Sequence, residues 1–280
     1  MHIRTLLAAA ALTVPLAALA EGSSPWLPIP GQVSLTLNQT QQSGSDAYIG
    51  ATRLSAAAIT GGGASKFTRS TTNIRLGYGV SDALSLDAAL ASSRVKAGAA
   101  DNDSGLADSV IGVSWRAIDE FERPGWPTLT FRGAVIWKGD YDGARLAALG
   151  NDQNGSELAV LLGKQWASLA LWAELGAQDR TGSVPVATFY EIGARYRISP
   201  KFGASLGYSD KRYGGQLDIG GPGFSPARFQ DVRAERRIAK LGVGYALAGN
   251  QGVGLNFARV ASGRNTIKDD IVGLSYTVAF

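Results

Sequence analysis

Apolar and polar residues alternate along most of this chain with a period of two. The run is longest at its end, where Val272, Leu274, Tyr276, Val278 and Phe280 fall on one side and Ile271, Gly273, Ser275, Thr277 and Ala279 on the other. Two is the side-chain period of a β-strand, because successive Cβ atoms point to opposite faces of the sheet. The pattern begins with Val33, Leu35 and Leu37 against Ser34, Thr36 and Asn38. It recurs over residues 74–80, 84–90, 111–117, 129–137, 158–166, 169–175, 190–198, 202–208, 241–247 and 253–257, which brings the number of predicted strands to twelve.

Short turns such as Ser81-Asp82 and Ser199-Pro200-Lys201 alternate with long polar connections, the longest spanning residues 41–69 and others spanning 139–153 and 210–230. An even number of strands, with an apolar face opposed to a small or polar one, predicts an all-β, 12-stranded antiparallel up-and-down transmembrane β-barrel. Lipid would meet the apolar face, and the other would line the lumen. A segment of about 10 residues, tilted by about 40°, rises roughly 25 Å, the height of the apolar band. Aromatic residues stand where headgroups would be: Tyr78, Trp115, Trp166, Tyr196, Phe202 and Tyr245 near short turns, and Trp137, Tyr190 and Tyr208 near long ones. Closure would also remove the sheet edges that so much alternation otherwise exposes.

The amino end carries a different signal. Met1 to Arg4 is a short basic start, Leu6 to Leu19 is a short Ala-rich apolar run, and Ala18-Leu19-Ala20 has the small-x-small form of a cleavage site. Residues 1–20 therefore read as a signal peptide and 21–280 as a single barrel domain, addressed to the bacterial outer membrane. Between them and the first strand, Pro25, Pro28 and Pro30 exclude a central strand and predict a periplasmic lead-in.

Composition supports the same class. Glycine is abundant at 36 residues, cysteine is absent, and a mean hydropathy of +0.01 is too low for a helical membrane bundle. Loss of the leader with Arg4 lowers the formal charge from +4 to +3, and no dense basic run provides a nucleic-acid footprint. The only histidine is His2, so the predicted mature chain can assemble no Ser-His or Asp-His pair and no His- or Cys-ligated metal site. Asp101-Asn102-Asp103 and Asp140-Tyr141-Asp142 lack the acidic twelfth position of a calcium loop. No catalytic residue, metal or cofactor is expected.

What remains is a set of charges on the inward parity. Arg75, Asp87, Arg116, Arg132, Glu157, Glu174, Glu191 and Arg195 all oppose the apolar face, as does Trp172. In a closed barrel they would line the lumen, either as a constriction that guides polar or anionic solutes or as a lattice of Arg-Glu pairs bracing a narrow wall.

Two resemblances add to this reading. The final strand is similar to the closing strand of bacterial outer-membrane barrels, which implies that Tyr276 and Phe280 belong to the signal read by the barrel-assembly machinery. Leu76-Gly77-Tyr78-Gly79-Val80-Ser81-Asp82, Leu84-Ser85-Leu86-Asp87, Ser104-Gly105-Leu106-Ala107-Asp108, Gly112-Val113-Ser114-Trp115-Arg116 and Asp119-Glu120 resemble the outer-membrane family named for the meta-pathway of phenol degradation. Ala107 stands where that family often has glycine. The resemblance implies a barrel, set in outer-membrane lipid, that passes small hydrophobic or aromatic solutes. It transfers no binding residue. The alternative is a non-conducting structural or surface-interaction barrel with a plugged lumen.

Overall fold

A computed structural model describes residues 24–98, 102–143 and 145–280. The predicted leader lies outside them. The elements are β1 (Val33–Ile49), β2 (Thr52–Ser55), α1 (Ala56–Ile59), β3 (Phe67–Ser81), β4 (Leu84–Lys96), β5 (Asn102–Leu106), β6 (Ser109–Ile118), β7 (Thr128–Trp137), β8 (Gly155–Gln165), β9 (Leu169–Arg180), β10 (Ala187–Arg197), β11 (Phe202–Tyr213), β12 (Glu235–Ala248), β13 (Gln251–Arg264) and β14 (Thr266–Ala279). Neighbours pair antiparallel throughout, and β14 returns to β1 from Ser34↔Ala279 to Tyr48↔Thr266. The sheet is therefore a closed barrel.

Its wall has twelve strands. β2 is a flap folded back on β1, and β5 and β6 share one place in the wall, β5 beside the far half of β4 and β6 beside its near half. The chain breaks between them at Ala107 and Asp108, where Asp108 turns inward to accept hydrogen bonds from Gly139 N (3.3 Å) and Arg180 Nη1 (2.7 Å).

Adjacent residues report the two faces. Leu158 is 71% exposed while Glu157 is 5% exposed, and Leu175 is 65% exposed beside Glu174 at 3%. Around the outside, Leu86, Leu90, Ile111, Ile192, Leu206 and Leu274 continue an exposed apolar belt. Trp115 stacks on Phe131 toward the turn end (5.7 Å between ring centroids), and Tyr190 leans on Tyr208 toward the loop end (6.2 Å). Inside, Thr128, Thr130, Ser275 and Thr277 are buried. A surface greasy outside and polar inside is stable where lipid is the outer solvent.

One expectation needs correction. The connection predicted over 41–69 is mostly strand: β1 runs to Ile49 and β3 begins at Phe67, leaving 50–66, which itself contains β2 and α1. At 17 residues, about 3.3 Å each and a tilt of about 40°, β1 rises roughly 43 Å, well beyond an apolar band of about 25 Å. Beyond the band both faces meet water, so the apolar alternation disappears while the ladder continues. The proline-rich lead-in forms no strand over residues 24–32, and its Pro25 is completely buried.

Candidate functional site

The lumen carries a hydrogen-bonded belt of charged and amide side chains. Arg132 on β7 donates from Nη2 to Asp87 Oδ2 (2.9 Å) and from Nε to Asp87 Oδ1 (3.3 Å), reaching two strands across to β4. It can do so because Gly112 lies between them on β6: a Cβ there would stand 2.5 Å from Arg132 Nη2 and 2.7 Å from Asp87 Oδ1. The same guanidinium donates from Nη1 to Glu157 on β8. Glu157 Oε2 accepts from Gln178 Nε2 on β9 (2.6 Å), and Gln178 Oε1 accepts from Lys211 Nζ on β11 (2.6 Å). One chain of contacts thus runs from β4 to β11. Lys240 Nζ to Glu191 Oε2 (2.6 Å) ties β12 to β10 beside it. Arg132 and Glu157 are almost wholly buried, a situation that charged groups tolerate only when every lone pair and proton is used.

The remaining inward residues named from the sequence fall around this belt. Glu174 is buried on β9, directly across from Glu191 on β10. Arg195 stands nearer the turn end, opposite Ala170 and Ser205 on its two neighbours. Trp172 lays its indole over Gly193, which has no Cβ to obstruct the ring. Arg75 lines the lumen from β3, within electrostatic reach of Asp87, Glu157 and Glu174. Arg116 does not join the group. It sits at the turn end, donating to the Asp82 carbonyl (2.5 Å) and pairing with Asp119 (2.9 Å), because the strand bulges between Arg116 and Ile118 as it enters the turn. At the closing seam, Phe280 N donates to Val33 O (2.8 Å), its ring is exposed, and Tyr276 Oη donates to Gln251 Oε1 (3.0 Å).

At the turn end the N-terminal segment enters the lumen. Thr130 Oγ1 on β7 donates to Pro25 O (2.7 Å), and Trp26 Nε1 donates to Glu120 Oε1 (2.9 Å). Gly163 on β8 makes room for them: a Cβ there would lie 2.5 Å from Pro25 Cγ and 2.7 Å from the Trp26 ring. The segment therefore crosses from β1 to the far wall beneath Trp172, whose register partner is Gly163.

At the loop end residues 138–143 and 145–154 fold inward. Arg69 on β3 donates to the carbonyls of Ala148 (2.5 Å) and Ala147 (3.4 Å), and Tyr141 donates to Asp108. Burial, with Asp108 adding to it, pushes the Tyr141 hydroxyl above the ordinary tyrosine range. An apolar cap of Ala47, Ala56, Phe67, Val95, Ala147, Leu149 and Ile267 closes over this loop. Asn265, the single residue between β13 and β14, has φ 47°, a left-handed conformation that asparagine accepts readily. Its side chain accepts from Gly50 N (2.7 Å) and donates to Asp218 Oδ1 (2.8 Å) and Arg233 O (2.7 Å), joining three loops.

Between cap and belt lies a cavity of about 530 Å³. The side of β1, β3 and β4 contributes Thr36, Asn38, Thr40, Thr71, Asn73 and Ser93; Glu174, Phe189, Glu191 and Lys211 stand on the β9–β11 side. Most of these, and Gln178 and Lys240, were not singled out from the sequence. Thr71, Asn73 and Arg69 share the parity of Arg75, so extending the β3 alternation upstream would have found them. Phe189 carried no signal, since an inward aromatic contradicts the polar pattern until the ring is seen to fill the space left by Gly176.

No protein-family model matches this chain, and no curated protein matches it in sequence. Solved structures do match in fold. The COG4313 outer membrane channel from Pseudomonas putida F1 has a TM-score of 0.74 at 18% identity, over 93% of this chain and 100% of that one. The NanC porin reaches 0.54 at 10% identity, over 87% and 98%, and the KdgM porin 0.51 at 6%, over 88% and 99%. The fold of this chain is that of outer-membrane channels.

Proposed function

We propose that this protein is a channel of the bacterial outer membrane through which small solutes pass down their own gradient into the periplasm. One observation carries the reading: a closed cylinder, apolar outside, holds a polar-lined cavity of about 530 Å³ between its two ends. The similar solved structures are described as channel or porin, which supports it. No covalent intermediate or cofactor enters this mechanism. Lumen residues select by size and charge, with Arg75, Glu174 and Glu191 on the wall of the cavity and Asp87, Arg132, Glu157, Trp172 and Arg195 bracing the lumen beside it. A signal peptide over residues 1–20 would deliver the chain, and Tyr276 and Phe280 would present it to the assembly machinery. The resemblance to the phenol meta-pathway family favours hydrophobic or aromatic solutes.

A second reading, a non-conducting structural barrel, is favoured by the Pro25-Trp26 segment at the turn end and loop 138–154 at the other. Planar-bilayer conductance separates the two. The refolded protein is expected to give small, discrete openings, enlarged when residues 24–30 are deleted. Silence of both forms, with liposomes that fail to swell in small sugars, would establish the plugged barrel instead.

A further inference from the structure

The guanidinium of Arg75 differs from every other charge in the belt. Among the described residues it makes no hydrogen bond and no ion pair, although it lies in the middle of β3 and lines the cavity. Three carboxylates stand within electrostatic reach, and none of them bonds to it: Arg132 holds both oxygens of Asp87 and one of Glu157, Gln178 holds the other oxygen of Glu157, and Glu174 faces the cavity from β9. An arginine has five N–H donors in a planar fork that matches a carboxylate, and this fork is half-buried and faces the cavity.

The wall beside Arg75 is chemically distinctive as well. Thr40, Thr71, Asn73 and Ser93 carry hydroxyls and an amide, each able to donate and accept, with no net charge among them. Phe189 stands on the far side of the cavity with its ring among Ala159 and Leu161. A purely apolar solute, the class that the family resemblance alone would favour, would strip water from the polar wall and return nothing. A neutral polyol would offer Arg75 hydroxyl oxygens but no opposite charge to match its fork. Only a molecule with both features satisfies the cavity.

We propose that the cavity is a binding site for small hydroxylated carboxylates, the carboxylate taken by the Arg75 fork and the hydroxyls by Thr40, Thr71, Asn73 and Ser93. This rests on the channel reading for the solute's route, but the binding itself can be measured without conduction. A cavity of about 530 Å³ lies within the usual range for small-molecule sites, about 300–1,000 Å³.

Isothermal titration calorimetry of the folded barrel in detergent tests it with three probes at matched ionic strength: D-glucuronate has both features, glucose lacks the carboxylate, and benzoate lacks the hydroxyls. Glucuronate should bind saturably, with the other two needing at least about ten times the concentration. Arg75→Gln should weaken glucuronate about tenfold or more and leave glucose unchanged, while Arg75→Lys, keeping the charge but losing the fork, should fall between. Folding of each variant is read from its heat-dependent gel mobility. Should Arg75→Gln fail to fold, Asn73→Leu, which removes a partner of the hydroxyls, must weaken glucuronate and leave benzoate unchanged. Equal binding of benzoate or glucose, undiminished binding by a folded Arg75→Gln, or no saturable glucuronate binding overturns the site. Wild-type protein that conducts without binding glucuronate defeats this proposal alone, whereas binding without conduction upholds the site and defeats the channel reading.

Discussion

The two halves of the lumen solve the problem of a buried polar surface differently. From β4 round to β12 the wall is ionised, and its charges are spent on one another through Asp87, Arg132, Glu157, Gln178 and Lys211, with Glu191 and Lys240 beside them. From β13 through β14 and β1 to β3 it is neutral apart from Arg69, Arg75 and Asp269, with hydroxyl pairs such as Thr36 to Thr277 (3.0 Å) and Thr71 to Ser93 (2.7 Å), and Asn38, Asn256 and Ser275 buried among them. A charge that has found its partner is fixed, since breaking the pair strands a buried ion. A hydroxyl can exchange one partner for another at small cost. The ionised arc is therefore the frame, and the neutral arc is the surface on which a solute can exchange contacts with the wall.

The strongest way to break this contrast is to remove the hub of the frame. Arg132→Met leaves Asp87 and Glu157 without their shared cation and should cost about 3–5 kcal/mol of stability, read as a lowered urea midpoint in lipid vesicles. Replacing the whole set together, with Asp87→Leu and Glu157→Leu added, should recover most of that loss. A triple variant no more stable than the single one would mean that the belt is not a self-contained network. Next in size is Gly193→Val, which puts a side chain where the Trp172 indole lies; overpacking of this kind costs about 1–3 kcal/mol and should shift the Trp172 emission.

The neutral arc should respond far less. Thr71→Val removes its bond to Ser93 and should cost about 0.5–1.5 kcal/mol, with little further loss when Ser93→Ala is added, because the two form one interaction. A loss as large as that of Arg132→Met would erase the distinction between the arcs.

The smallest effects belong to pH and to the loops alone. Tyr141 is held above the ordinary tyrosine range, so its contribution is whole below about pH 10 and is lost as pH rises through its folded value. Asp218 is held below the ordinary carboxylate range, first by its hydrogen bond from Arg264, so its contribution is whole above about pH 4 and is lost as pH falls through its folded value. Protease nicking within 138–154 should therefore rise in alkali and nicking within 214–234 in acid, while the sheet signal in circular dichroism stays constant. Both loops opening at the same pH would show that they move as one lid.

How much of this could be read in advance depends on the solvent outside each residue. Where lipid touches the wall, as at Leu158 beside Glu157 or Leu274 beside Ser275, alternation between greasy and polar is enforced and the strand shows plainly in the sequence. Above the belt the outer residues of β1 and β3, Gln39, Ser70 and Thr72, bond to one another in water, so the strand looks like a loop. The belt charges were visible one by one. Their partners were not, because Asp87 and Arg132 meet only through the register of three strands and a glycine between them.

The order of residues alone settled the class of fold and the number of wall strands, and it gave the parity of the wall where lipid lies outside, since a period of two leaves no freedom once one face must meet lipid. Closure decided the rest. Bringing β14 to β1 fixes which strands stand across the lumen from each other, and with that which charges are neutralised, where Pro25 finds a buried site, and why Arg75 is left with its donors unspent. Those are distances between segments far apart in the chain, and no local pattern encodes them.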